Sequence, residues 1–259
     1  MPANITSGDD LLMNFRNAFL HTIARVWSGD KKFIKKVQTD PTGAMRDSGL
    51  SEDWSLDIEL LLNGDKWEPT IASGWCGSER ETITLRLPLD PTLALKDVDP
   101  KLWAQALADY YFEYPTLFGD GSTRPVTKEK EGEISFKQGL PAKLGNFSEF
   151  REFGSVTMRA IAIAWSSKEF RDLFSKHGVE GTLSALQNWL GYTSPWNLDI
   201  KVEVSKGARW TPDGKWQKLR PNKLTLYIPQ VPPEDPSVWP IALSAFNETG
   251  PAYPFTCCT

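Results

Sequence analysis

The sequence is poor in the residues that most often carry chemistry. Its 259 residues include two histidines, His21 and His177, and three cysteines, Cys76, Cys257 and Cys258. An odd number of thiols cannot all pair within one chain. A disulfide scaffold is therefore excluded, and folding in a reducing cytoplasm is expected. Two histidines leave little material for a His-based metal site. There is no Cys-x-x-Cys, no His-Glu-x-x-His, no acidic calcium loop, and no glycine pattern of a P-loop or dinucleotide fold. Excess basic charge is missing too. The net charge is −4, which argues against a nucleic-acid binder, since that role needs a basic stripe. No apolar run approaches the ~20 residues of a membrane span. The polar start, Met1 to Asp10, has neither the basic nor the apolar region of a secretory signal.

What the chain does have is tryptophan, 11 in all, and an internal repeat. Ile23-Ala24-Arg25-Val26-Trp27 recurs as Ile161-Ala162-Ile163-Ala164-Trp165, each followed by a charged stretch and a phenylalanine, Phe33 or Phe170. Trp54-Ser55-Leu56-Asp57-Ile58 recurs as Trp196-Asn197-Leu198-Asp199-Ile200, and Trp67 matches Trp210. Thr84-Leu85-Arg86-Leu87-Pro88 matches Thr225-Leu226-Tyr227-Ile228-Pro229, and Trp103 with Ala106 matches Trp239 with Ala242. The pieces keep their order at an offset of about 140 residues, which is the mark of a duplicated unit.

Each unit reads as helices followed by strands. Leu11, Leu12, Phe15, Phe19, Ile23, Val26 and Trp27 recur at the spacing of an amphipathic helix. Ser166 with Glu169 predicts a capping box opening the next helix of the second unit. Gly49 and Gly191 sit where helices could stop. The period then changes to alternation, at Leu56, Ile58 and Leu60 and again from Leu198 to Val204, which predicts half-buried strands. Ile83-Leu85-Leu87 and Leu224-Leu226-Ile228 predict second strands, ending at Pro88 and Pro229. The fold class expected is α+β, with two duplicated helix-then-antiparallel-strand modules and a flexible C-terminal tail. The boundaries are 1–121 for module one, 122–144 for a polar, lysine-rich linker, 145–245 for module two and 246–259 for the tail.

Candidate chemistry is sparse. Cys76 lies in Gly74-Trp75-Cys76-Gly77, with no cysteine-hydrolase signature around it, and reads as a loop or partly buried thiol. His21 and His177 do not fall at equivalent repeat positions and read as structural or surface residues. Glu129, Glu131 and Glu133, alternating with lysines, read as a solvated face. The repeat-paired tryptophans read as packing rather than ligand-stacking positions, because Trp is large and mostly buried. The exception is the end of the chain, Thr256-Cys257-Cys258-Thr259. Each of these side chains carries a thiol or hydroxyl that can attack the carbonyl carbon of the preceding residue. Loss of that oxygen as water closes a five-membered azoline, and removal of two hydrogens makes it aromatic. Thiols are the better nucleophiles, so Cys257 and Cys258 would react before Thr256 and Thr259. A frayed end with two free thiols is the alternative.

The Ala-x-x-Trp helix (Ala24 to Trp27), Asp40-Pro41, Ser48-Gly49-Leu50, Leu56-Asp57-Ile58 and the strand ending Leu87-Pro88 resemble the nitrile-hydratase-type leader of ribosomally made, modified peptides. The two-module chain with a short Cys-bearing end is similar to Burkholderia-type precursors of thiazole/oxazole-modified microcin bacteriocins. The resemblance covers about Leu11 to Leu89 and Ser155 to Pro229. It implies a folded leader read by modifying enzymes and a C-terminal core that is altered and released. The nitrile hydratase α-subunit holds its metal in a Cys-x-x-Cys-Ser-Cys claw, which this chain lacks, so hydratase activity is not implied.

The expected function is therefore that of a non-enzymatic precursor, bacteriocin-like, with no cofactor of its own. Its partners would be an ATP-dependent cyclodehydratase or another cysteine-modifying enzyme, a flavin dehydrogenase, a maturation protease and an exporter. Neither nucleic acid nor a membrane span is expected. Synthesis and modification would be cytoplasmic, with the mature peptide exported. Two alternatives stay open. One is a degenerate hydratase-like subunit using Cys76 or a shared metal site. The other is a copper-handling protein using Cys257 and Cys258 as a soft thiolate pair.

Overall fold

A computed structural model describes residues 8–71, 74–89, 99–113, 147–196, 198–211, 213 and 215–249. Its first half runs α1 (Gly8–Trp27), α2 (Lys31–Thr39), α3 (Pro41–Asp47), β1 (Asp57–Leu61), β2 (Lys66–Trp67), β3 (Trp75–Cys76), β4 (Thr82–Pro88), a 3-10 turn (Pro100–Leu102) and α4 (Trp103–Glu113). The second half repeats that order: α5 (Phe147–Ser166), α6 (Lys168–Lys176), α7 (Gly178–Leu190), β5 (Asp199–Ser205), β6 (Arg209–Thr211), β7 (Lys215–Gln217), β8 (Lys223–Tyr227), a 3-10 turn (Pro236–Val238) and α8 (Trp239–Thr249). The α+β class and the duplicated order are those expected.

Local chemistry sets the helix ends. Asp30 caps α2 by accepting from the amides of Lys32 and Phe33, which satisfies two of the orphan donors of the first turn. Asp40 accepts from Gly43 N, and Pro41 fills the first turn of α3, where its missing N–H is no loss. The cap of α6 is Ser167, whose hydroxyl accepts from Phe170 N at 3.2 Å. Ser166, predicted for that role, instead donates back to carbonyls of α5, because α5 continues through it and leaves Ser167 as the first residue with extended backbone. Gly191 ends α7 in the left-handed region, φ +67, as predicted for a glycine stop. At the other end of the chain, α8 continues through Thr249, three residues beyond the expected end of the helical pattern at Phe246. Phe246 is buried and Asn247 is held by Arg16, so tertiary contacts carry the helix past the end of its apolar pattern. The linker at 122–144 lies outside the described residues.

The central sheet has the order β1-β8-β4-β5. The two long strands within a half do not pair with each other. Instead β1 runs parallel to β8, and β5 runs parallel to β4. Only β4 and β8, at the middle, are antiparallel. Each half was expected to close its own antiparallel sheet, and the pairing corrects this: the sheet is mixed, and every ladder in it joins one half to the other. The antiparallel pairs internal to a half are the short hairpins β2–β3 and β6–β7. The registers are related by a local two-fold. Asp57 stands opposite Lys223 and Glu59 opposite Thr225, just as Asp199 stands opposite Thr82 and Lys201 opposite Thr84. In the middle, Ile83 faces Leu224, flanked by Thr82–Thr225 and Thr84–Lys223, so the axis passes through the Ile83–Leu224 pair.

Alternation along the strands separates two faces. Ile58, Leu60, Ile83, Leu85, Ile200, Val202, Leu224 and Leu226 are buried in one core with Phe15, Phe19 and Ile23 of α1 and Phe153, Ala160 and Ile161 of α5. The other face carries charge. Lys223 bonds Glu59 at 2.7 Å, Lys201 pairs with Glu203 at 2.8 Å, and Arg86 also pairs with Glu203.

The exchange extends beyond the strands. Each 3-10 turn and final helix follows its strand onto the opposite half. α8 packs on α1 and β3, with Phe246 against Phe19 and edge-on to Trp75 at 5.6 Å. α4 packs on α5 and β7, with Tyr110 edge-on to Trp216 at 6.4 Å. Indole donors then tie the halves together in matched pairs. Trp27 Nε1 donates to Pro229 O at 2.9 Å, and Trp165 Nε1 to Pro88 O at 3.0 Å. Trp75 Nε1 donates to Ala242 O, and Trp216 Nε1 to Ala106 O.

Candidate modification tail and the helix that carries it

The predicted site residues Thr256, Cys257, Cys258 and Thr259 lie outside the described residues. The structure does describe the helix from which they follow. α8 is fixed almost to its end: Ala242 is fully buried, Phe246 is 3% exposed, and Asn247 Oδ1 accepts from Arg16 Nε of α1 at 2.6 Å. The last residue of the helix, Thr249, is therefore two positions from an anchored side chain.

The other candidates are not brought together. Cys76 is an exposed, free thiol on β3, opposite Lys66 in the β2–β3 hairpin. His21 is exposed on α1, and His177 is exposed at the α6–α7 junction. Among the described residues, no group of three or more His, Cys, Asp or Glu is placed to hold a metal ion. Glu129, Glu131 and Glu133 lie outside the described residues.

Most of the repeat-paired tryptophans are core. Trp27, Trp54, Trp165, Trp196 and Trp210 are buried, while Trp67, Trp103 and Trp239 are half-buried and pack against that core. Their rings meet one another rather than lining a groove. Trp27 stacks on Trp75 at 5.8 Å and takes Trp239 edge-on, while Trp165 packs near Trp216 at 6.1 Å and takes Trp103 edge-on. The match of Trp75 to Trp216 was not read from the sequence. Both sit at the offset that relates Pro88 to Pro229, and that offset was the available signal.

A cleft of about 380 Å³ opens along β1, lined by Val37, Gln38, Pro41, Thr42, Asp57 to Leu61 and Lys223. It holds two carboxylates whose pKa values are shifted in opposite directions. Burial raises the pKa of Asp57, against the opposing pull of Arg86 and Lys223. The hydrogen bond from Lys223 holds Glu59 below its ordinary value. The Thr42 hydroxyl in the same cleft accepts from Ile58 N at 3.2 Å.

A second polar pair sits at the strand exchange. Asn222, fully buried, accepts from Arg86 N at 2.6 Å and donates to the Tyr110 hydroxyl. Its counterpart in the first half is Glu81, also buried. Burial pushes the Glu81 carboxyl up to about 8, and the nearby Asp65 adds to this while its own backbone amide opposes it. Both residues stand where β4 and β8 leave their own halves, and their carbonyls accept from Asp199 N and Asp57 N at the matching ends of β5 and β1.

The described residues thus form two exchanged halves around one core and end on the anchored helix α8. No helix among the described residues is long and apolar enough to cross a membrane. No curated protein and no solved structure matches the chain. A family model described as "Ribosomal natural product, two-chain TOMM family" matches residues 10–118 and 148–254, one segment in each half. Matched over well more than half of its length, the chain belongs to the two-chain TOMM family of ribosomal natural products.

Proposed function

We propose that the protein is a precursor whose folded part acts as a leader and whose C-terminal Thr256, Cys257, Cys258 and Thr259 are the substrate of separate modifying enzymes. Membership of a family of ribosomal natural products supports the reading, since such a family implies modifying partners. The observation that carries it is the anchoring of α8 up to Asn247, immediately before the cysteine-bearing end. Docking of the rigid part would hold the end near a remote active site at high effective concentration. From Thr249 to Cys257 is eight residues, which reach at most ~26–29 Å when extended. An enzyme that binds the folded part must therefore place its active site within that distance of the end of α8.

The chemistry belongs to the partners. In azoline formation the Cys257 thiol attacks the Thr256 carbonyl carbon, and the Cys258 thiol attacks that of Cys257. Each ring loses one water, drawn off by ATP turnover in a cyclodehydratase. Each aromatisation passes two hydrogens to a flavin dehydrogenase. A maturation protease and an exporter would complete the route from a cytoplasmic precursor to a released, bacteriocin-like peptide. The nitrile-hydratase-type character of the leader belongs to the same proposal.

Co-expression with the neighbouring genes, followed by intact-mass comparison of the full chain and a chain ending at Thr249, tests the reading. A mass change in the full chain that is lost in the shortened one is expected. The same mass change in both would place the modification elsewhere and remove the reading.

A further inference from the structure

Each half presents a receiving groove that the other half fills with a strand-and-helix arm. The groove of the first half is built from α1, β1 and the β2–β3 hairpin, and its arm comes from β8 and α8. The second half mirrors this with α5, β5 and the β6–β7 hairpin, filled by β4 and α4. The recognition chemistry is the same twice. A strand joins the edge of the groove in parallel, a proline carbonyl accepts one indole N–H, an alanine carbonyl one turn into the helix accepts a second, and an aromatic ring four residues on packs beside it.

We propose that this groove is an association site for the arm of a second module of the same kind, and that the two halves pair as separate chains would, without needing the segment that joins them. The main-chain ladder of the arm, the ring contacts of its Phe246 with Phe19 and Trp75, and two indole hydrogen bonds are made between halves, and its Leu224, Leu226 and Ile228 are buried in the shared core. Little of the sheet is left for a half on its own: withdrawing its partner would strip β1 or β5 of its neighbour and expose one face of the core. A module of this construction is an obligate pairing unit, and its partner is recognised by a Leu-x-Leu/Ile-Pro strand followed by a Trp-x-x-Ala helix (Leu85 to Pro88 with Trp103 to Ala106, and Leu226 to Pro229 with Trp239 to Ala242). One contact distinguishes the two arms. Trp210 Nε1 donates to Asp109 of α4 at 2.8 Å, whereas α8 carries Ala245 at the matching place. The arm with Asp109 is therefore selective for the groove with Trp210. This pairing does not depend on what happens to the C-terminal cysteines.

The test is the full chain carrying a protease site within residues 122–144, cut after folding. The two fragments should co-elute as one species at the mass of the intact chain. The urea midpoint of the cut protein should rise with protein concentration, as for any dissociating pair, while that of the intact chain should not. Trp27→Phe with Trp75→Phe, which keep aromatic rings but remove both donors, should weaken the pair by at least about 25-fold, or about 5-fold or more per hydrogen bond. Separation of the fragments without denaturant, a midpoint independent of concentration, or a joining segment that resists the protease because it is part of the fold would each overturn the proposal.

Discussion

The indole N–H of Trp27 donates to the carbonyl of Pro229, 2.9 Å away and in the other half of the chain. Trp165 makes the matching bond to Pro88. A buried carbonyl left without its donor loses a hydrogen bond and keeps its desolvation cost, so Trp27→Phe and Trp165→Phe should each cost ~1–3 kcal/mol. The alanine variants add a cavity and should cost ~3–5 kcal/mol. Urea unfolding checks this. Equal losses from the two phenylalanine variants are expected from the symmetry of the bonds.

Trp67 and Trp210 are equivalent, yet they differ at the indole nitrogen. Trp210 has Asp109 as acceptor, whereas the buried Trp67 Nε1 has none among the described residues. Ala245 occupies the place of Asp109 on α8. Ala245→Asp should supply the missing acceptor and raise stability by ~1 kcal/mol, the gain of a hydrogen bond to a charged group less the cost of partly burying the carboxylate. A loss of stability in thermal unfolding would show that the two arms seat differently.

Gly64 lies where the halves touch. A Cβ there would stand 2.6 Å from the carbonyl oxygen of Ile228, which is backbone and cannot move aside as a side chain could. The Gly64 amide also donates to that oxygen. Gly64→Ala should therefore destabilise by ~1–3 kcal/mol through overpacking, while Gly29→Asn, at a left-handed position with open space around it, should change stability little. Denaturant midpoints of the two variants make the comparison.

Glu81 predicts a pH dependence. Its folded pKa of about 8 lies above its ordinary 4.5. Below 4.5 the group is protonated both folded and unfolded and adds no dependence. Between the two values folding takes up a proton, so stability falls as pH rises, and the effect is complete above about 8. Glu81→Gln removes the titrating group and mimics the amide of Asn222. It should flatten the stability profile between pH 5 and 8 and leave the variant more stable than the parent at the alkaline end. An unchanged slope would mean that another group carries it.

The sequence made some levels of this structure legible and hid others. The amphipathic spacing from Leu11 to Trp27 predicts α1, and the alternation at Ile58 and Leu60 predicts β1, because both signals are local and each apolar face is buried where its period implies. The repeat predicts that the halves share an element order. It does not say whether a half closes on itself. Asp57 can meet Lys223 or a strand of its own half with the same burial pattern, since exchanging equivalent strands leaves every buried position buried. Only long-range geometry decides, and that geometry is what gives the tryptophans their partners. The cap of α6 was missed by one residue because Ser166 and Ser167 carry the same hydroxyl, and the length of α5 chooses between them. Of the candidate site, the chemistry of Cys257 and Cys258 is legible from residue type alone, and the structure adds the anchored helix that precedes them.

The central claim, that the chain end is a substrate, is tested most directly by tandem mass spectrometry of the protein co-expressed with its neighbouring genes. The account predicts a loss of one water for each ring, with or without two further hydrogens, mapped to Cys257 and Cys258. Cys257→Ala and Cys258→Ala should each remove part of that change, and Cys76→Ala should leave it intact, since ring closure at Cys76 would distort the β2–β3 hairpin. A modification mapped to Cys76, or an unmodified end in the mature product, would contradict it.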